Sequence, residues 1–172
     1  MPTRYPLALI LLHWLIFPAM AAAFILGEVM EDLPRGPEKM GVMGWHILAG
    51  LILAALVLPR IAIRVRSLPP LPAQTPVWEL RLARVTHLLL YAVMLILPLS
   101  GLVAILAGQR AVSVLGLFAL PPLFPLSWLH EVAESLHGPA AKLFLILLVL
   151  HVAAALWHAL IRRDGIFRRI LP

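Results

Sequence analysis

Four apolar stretches, residues 7–26, 41–63, 85–107 and 139–161, dominate the chain, and each reaches the roughly 20 residues needed to cross a hydrocarbon core about 30 Å thick. Lipid offers a backbone amide no water, so each stretch must be helical. Four crossings and their connections nearly exhaust the 172 residues, which leaves a single domain over 1–172 and no sizeable soluble part. Composition agrees, with 62% of residues hydrophobic and 13% charged, where a soluble domain carries about a quarter charged residues. The expected fold is all-α, an integral membrane four-helix bundle.

A fifth run, 111–129, is nearly as apolar, but Pro121, Pro122 and Pro125 remove helix donors in its middle. It reads as an apolar loop at the membrane interface. Charge gives the same parity. One side of a four-helix layout carries Arg4, then Arg60, Arg64, Arg66, Arg81 and Arg84 against Glu79, then Arg162, Arg163, Arg168 and Arg169 against Asp164. The loops of the other side sum to −2 and −1. Lys and Arg accumulate on the cytoplasmic side of membranes, so both termini are expected there and the protein in the bacterial inner membrane. The net charge of +6 is placed to orient helices, and no nucleic-acid partner is expected. The first run is long and lacks a small-residue cleavage site, so it reads as a crossing rather than a cleaved signal. The connector 68–76 is proline-rich and expected to be extended. Pro18 and Pro98, the latter followed by Gly101, fall inside crossings, where a kink and close helix approach are expected.

The chain has no cysteine, which excludes disulfides, iron–sulfur clusters and thioether-attached haem, and leaves His, Met and carboxylates to hold any metal. It has seven histidines, six of them within or at the ends of the crossings: His13, His46, His87, His137, His151 and His158. Ionisable side chains in lipid are expensive and face the bundle interior for functional reasons. His137 and His151 are 14 residues apart on one helix, a rise of about 21 Å with a rotation of only about 40°. Two imidazoles therefore face one way near opposite leaflets, the separation that two haems stacked across a bilayer require. His13, 9 residues from Arg4, and His151, 11 from Arg162, lie at matching depth on the cytoplasmic side. His46, 7 residues past Lys39, and His137, 3 past Glu134, form a second pair in the outer half. His87 and His158 lie shallower on the cytoplasmic side and suit a hydrogen-bonding site for a quinone or a haem propionate. The competing readings are hydrogen bonds between helices and a histidine-lined proton or metal-ion path. His130 reads as a solvated residue of the outer loop. Lys142, the one lysine within a crossing, is expected to snorkel outward, and Trp14, Trp45, Trp78, Trp128 and Trp157 to form interfacial belts.

His13-Trp14 early in the first helix, His46 near the start of the second, Leu97-Pro98-Leu99-Ser100-Gly101-Leu102 in the third and the series His137, His151 and His158 in the fourth resemble the bacterial cytochrome b(561) family. The resemblance covers essentially the whole chain. It implies a four-helix protein with two haem b groups that passes electrons between the membrane faces, with quinone as one redox partner. By resemblance His13 and His151 bind the iron of the cytoplasmic-side haem, and His46 and His137 that of the outer one, the pairing that depth also gives. Some members are similar to superoxide oxidases, which pass electrons from periplasmic superoxide to ubiquinone. Related di-haem subunits anchor hydrogenases and formate dehydrogenases.

Iron held by two histidines has no open position, so outer-sphere electron transfer is the expected chemistry. In one reading superoxide reduces the outer haem and ubiquinone is reduced near His87 and His158 with cytoplasmic protons. The anionic outer loops oppose collection of an anion unless Arg35, Lys39, Arg110, His130 and Lys142 converge. In a second reading the chain is an electron-transfer subunit whose periplasmic donor docks on the apolar outer loop. A third, a haem-free transporter, predicts a colourless protein.

Overall fold

The computed structural model describes residues 4–67 and 75–171. Four long helices account for the four apolar stretches: α1 (Leu7–Asp32), α2 (Pro37–Arg66), α3 (Val77–Ala107) and α4 (Ser127–Leu156), the last continued by a π-helical turn, Trp157–Arg162. Each is long and apolar enough to span a membrane. Most of the proline-rich connector, 68–74, lies outside the described residues.

Proline sets the boundaries. Pro6 and Pro76 immediately precede α1 and α3, and Pro37 opens α2, positions where the missing amide costs nothing. Pro34 forces Leu33 into an extended conformation (φ −79°, ψ 137°) and so ends α1. Pro18, Pro59, Pro98 and Pro139 lie inside helices. The helix that carries the fourth apolar stretch, 139–161, begins before it, at Ser127, so Pro139 lies inside α4. A membrane helix tolerates an interior proline when neighbouring groups take up the freed carbonyl.

The stretch 111–129 is likewise more ordered than a loop. Val112–Val114 and Phe118–Leu120 pair as a short antiparallel hairpin, β1 and β2, with Val112 opposite Leu120 and Val114 opposite Phe118. Leu115 and Gly116 adopt positive φ, 55° and 73°, to make the turn. Val114 is fully buried, and Leu115 packs on Gly44 of α2 so closely that a Cβ there would lie 3.1 Å from the Leu115 backbone nitrogen. The hairpin thus caps one end of the bundle. At the other end the tail folds back: the Tyr5 amide donates to the Arg169 carbonyl (3.3 Å) and Trp14 Nε1–H to the Ile170 carbonyl (2.8 Å). Tyr5 near the start of the chain and Arg169 and Ile170 near its end therefore lie together at the end opposite the hairpin.

Packing is uneven. α1 lies along α2 and α3 along α4, α2 and α3 touch less extensively, and backbone approach of α1 or α2 to α4 is sparse. Two helical hairpins stand side by side. One apolar cluster joins them at mid-height: Ile16, Met20 and Ala23 of α1, Ala49, Leu53 and Val57 of α2, Leu90, Val93 and Met94 of α3, and Phe144 and Leu147 of α4.

Candidate functional site

Histidines sit above and below that apolar cluster. Toward the tail end, the rings of His13 (α1) and His151 (α4) have centroids 6.2 Å apart. Toward the hairpin end, His46 (α2) and His137 (α4) have centroids 5.9 Å apart. Both pairs bridge the two helical hairpins. Two imidazoles binding one metal from opposite sides at about 2 Å each would have centroids about 6 Å apart, so both spacings suit a shared metal. Among the described residues no group of three or more His, Asp or Glu converges as a metal cage. Paired imidazoles in an inter-helical slot suit a cofactor that brings its own equatorial ligands, as haem does.

A 14-residue offset organises the site on every helix: His13 and Gly27 on α1, His46 and Arg60 on α2, His87 and Gly101 on α3, His137 and His151 on α4. Such an offset repeats a helical face about 21 Å further along. The hairpin-end level consists of His46 and His137 flanked by Gly27 and Gly101. A Cβ on Gly27 would lie 3.4 Å from His46 Cε1, an ordinary contact, and one on Gly101 3.3 Å from His137 Cε1, so the missing side chain at Gly101 leaves the ring its space. The tail-end level consists of His13 and His151 flanked by Arg60 and His87. Sequence reasoning noticed the offset on α4 alone, and therefore missed Gly27 and placed Arg60 in a basic boundary cluster.

The two levels differ in hydrogen bonding. His46 Nδ1–H donates to the Ala23 carbonyl (2.8 Å). His137 Nδ1–H donates to Ser100 Oγ (2.9 Å), whose own hydroxyl donates to the Leu97 carbonyl (3.0 Å). These partners fix the tautomer and leave both Nε2 lone pairs available to a metal. At the tail-end level Arg60 Nη1–H donates to the Leu9 carbonyl (2.6 Å), Nη2 lies 3.4 Å from His13 Nδ1, and the guanidinium stands 6.0 Å from the Tyr91 ring centroid.

His87 and His158, expected at one shallow site, are set apart. The His87 ring is 5.5 Å from that of His151, within the tightly packed α3/α4 pair. His158 is two turns beyond His151, about 10 Å along the helix, in the π-helical turn. Its Nδ1–H donates to Asp164 Oδ2 (2.6 Å), and the Ile166 amide donates to Asp164 Oδ1 (3.2 Å). Burial acts to raise the Asp164 carboxyl, but these hydrogen bonds and the nearby charges of His158 and Arg162 outweigh it and hold the group below its ordinary range. Arg162 also forks onto both oxygens of Glu79 in the first turn of α3. Beside His158 opens a cleft of about 350 Å³, lined by Arg163, Phe167, Arg168 and Leu171 among others.

His130 is corrected by the structure. Because α4 starts at Ser127, His130 is helical rather than a solvated loop residue, and its Nδ1–H clips α4 to the Ala104 carbonyl of α3 (2.7 Å) while Nε2 faces Glu134 (3.4 Å). Lys39 donates to the Leu33 carbonyl (3.1 Å), so the ammonium of Lys39 and the imidazole of His130 are held on separate local partners. Lys142 is exposed on α4, and the five tryptophans are all exposed near helix ends.

Four membrane-length helices with imidazole pairs between them define a membrane-embedded bundle of the redox-cofactor class. The chain belongs to the prokaryotic cytochrome b561 family, whose model matches residues 4–172. It is 28% identical to cytochrome b561 homolog 1 of Escherichia coli over 98% of this chain and 97% of that one. It is 31% identical to cytochrome b561 homolog 2 of the same organism, over 99% and 92%. A probable superoxide oxidase CybB of Yersinia pestis is 25% identical over 100% of this chain and 98% of its own. Membership makes the protein a multi-pass bacterial inner-membrane cytochrome b that carries out transmembrane haem-based electron transfer.

Proposed function

We propose that the protein carries two haem b groups and acts as a superoxide:ubiquinone oxidoreductase, with both termini in the cytoplasm. In this reading His13 and His151 would hold the haem iron at the tail-end level, and His46 and His137 that at the hairpin end. The observation that carries it is the pair of cross-hairpin imidazole couples with centroids 6.2 and 5.9 Å apart. His13 rather than His87 partners His151, because α1 and α4 approach one another sparsely whereas α3 and α4 are packed together. When bound, haem supplies a one-electron path across the bilayer.

Two superoxide anions give two molecules of O₂ and two electrons, and one ubiquinone takes those electrons with two cytoplasmic protons to become ubiquinol. The name of the Yersinia relative supports superoxide as donor. At the tail end, His158 in its imidazolium form would donate Nε2–H to a quinone carbonyl while its Nδ1–H stays on Asp164, so the dyad can orient the ring and pass the Nε2 proton. His87 lies on the inner side of that approach, beside His151. A second reading, an electron-transfer subunit with a protein donor, is favoured by the exposed apolar residues Leu117, Phe118, Leu123 and Phe124 at the capping end.

The deciding experiment is a pyridine haemochrome assay on the purified protein followed by stopped-flow mixing with superoxide and a ubiquinone analogue. Two haem b per chain and superoxide-dependent quinol formation are expected. Two haems without superoxide oxidation would favour the subunit reading. A protein that binds one haem would remove one ligand pair, and a colourless one both.

A further inference from the structure

The two levels present the same helices in the same register yet surround their histidines with opposite electrostatics. At the hairpin-end level each histidine Nδ1–H meets an acceptor, the Ala23 carbonyl for His46 and Ser100 Oγ for His137, and the flanking positions are the uncharged Gly27 and Gly101. At the tail-end level the position equivalent to His46 is Arg60. Its guanidinium takes the Leu9 carbonyl, in the turn before His13, and turns its other nitrogen toward His13 Nδ1 at 3.4 Å. Tyr91 backs the same cation.

We propose that Arg60 is a positioning residue that sets the tail-end haem at the higher reduction potential, so that an electron arriving at the hairpin end moves downhill toward the termini. The inference rests on the ligand pairs given under Proposed function. An imidazole whose Nδ1–H donates to an acceptor gains electron density, which favours the oxidised, more positive iron; this is the condition of His46 and His137. A fixed positive charge beside a ligand disfavours the oxidised iron; this is the condition of His13, whose Nδ1 has an Arg60 nitrogen 3.4 Å away. Arg60 has only a part-buried site to screen it, and a guanidinium keeps its charge at any physiological pH. Direction of flow thus follows from which level carries the arginine and which the glycines.

The test is a spectroelectrochemical redox titration of the haem-loaded protein, with haem content measured alongside. Two separated one-electron steps are expected in the unaltered protein. Arg60→Gln, with both haems retained, moves the upper step down toward the lower and leaves the lower in place, while Arg60→Lys, which keeps the charge, leaves the upper step high. Ser100→Ala, which removes the acceptor from His137, moves the lower step up. Coincident steps in the unaltered protein, or an Arg60→Gln titration unchanged at full haem content, would overturn the proposal. If Arg60→Gln fails to retain haem, Ser100→Ala and Arg60→Lys decide: a lower step unmoved by the first, or an upper step that falls in the second, overturns it equally. Failure of the ligand reading is separate, because it appears as full haem retention in His13→Ala or His46→Ala.

Discussion

At the scale of single residues, the site depends as much on what is missing as on what is present. A Cβ on Gly101 would lie 3.3 Å from His137 Cε1, closer than ordinary contact. Gly101→Ala is expected to crowd the ring, destabilise the protein by about 1 kcal/mol and lower haem content at that level, as read by pyridine haemochrome and thermal unfolding. Asp164 makes a pH prediction. Its carboxyl lies below the ordinary value in the folded protein, so its contribution to closing the tail is complete above the unfolded value of about 3.9 and fades as pH falls through the folded one. The protection factor of the Ile166 amide, whose N–H donates to Asp164, should be high near neutrality and fall below about pH 4, and Asp164→Asn should lower it already at pH 7. The histidines at this scale were legible in the sequence because imidazole in an apolar helix is rare and costly. Gly27 and Arg60 were not, since a glycine in a membrane helix is commonplace and an arginine near a helix end also fits a boundary charge.

At the scale of elements, helix number and order follow from hydropathy, and helix ends from proline. The fourth helix shows where hydropathy falls short: the apolar stretch begins at 139, while α4 starts about three turns earlier, at Ser127, with Pro139 inside it. The capping hairpin shows the converse. Its strands are three residues each, too short for a periodic signal, and it exists because Val114 and Leu115 find a surface at Gly44. Gly44→Ala would place a Cβ 3.1 Å from the Leu115 nitrogen, and backbone there cannot easily yield. The expected result is a cost of about 1–3 kcal/mol and faster amide exchange over residues 112–120, with the four helices unchanged by far-ultraviolet circular dichroism.

At the scale of the whole molecule, two helical hairpins share an apolar centre but approach one another sparsely between α1 and α4. Ligand pairs that draw one imidazole from each hairpin would make the cofactor a tie between halves. Haem-stripped protein is expected to keep its helicity, because lipid holds each backbone in helical form, but to melt at a lower temperature than the loaded form. At ligand concentrations 100-fold above the dissociation constant, the linkage is worth about 2.7 kcal/mol, and differential scanning in detergent would measure it. The sequence by itself determined that the chain has four membrane-length apolar stretches, that His137 and His151 share a face about 21 Å apart, and that no thiol chemistry takes part, since these follow from hydropathy, helical rise and residue type. Only the tertiary structure decided that His87 lies against His151 while His158 turns to Asp164, that glycines flank one level and an arginine the other, and that the apolar outer segment folds into a cap. Those facts depend on which side chains from different helices arrive at the same height and azimuth, and packing, rather than the periodicity of any one segment, fixes that.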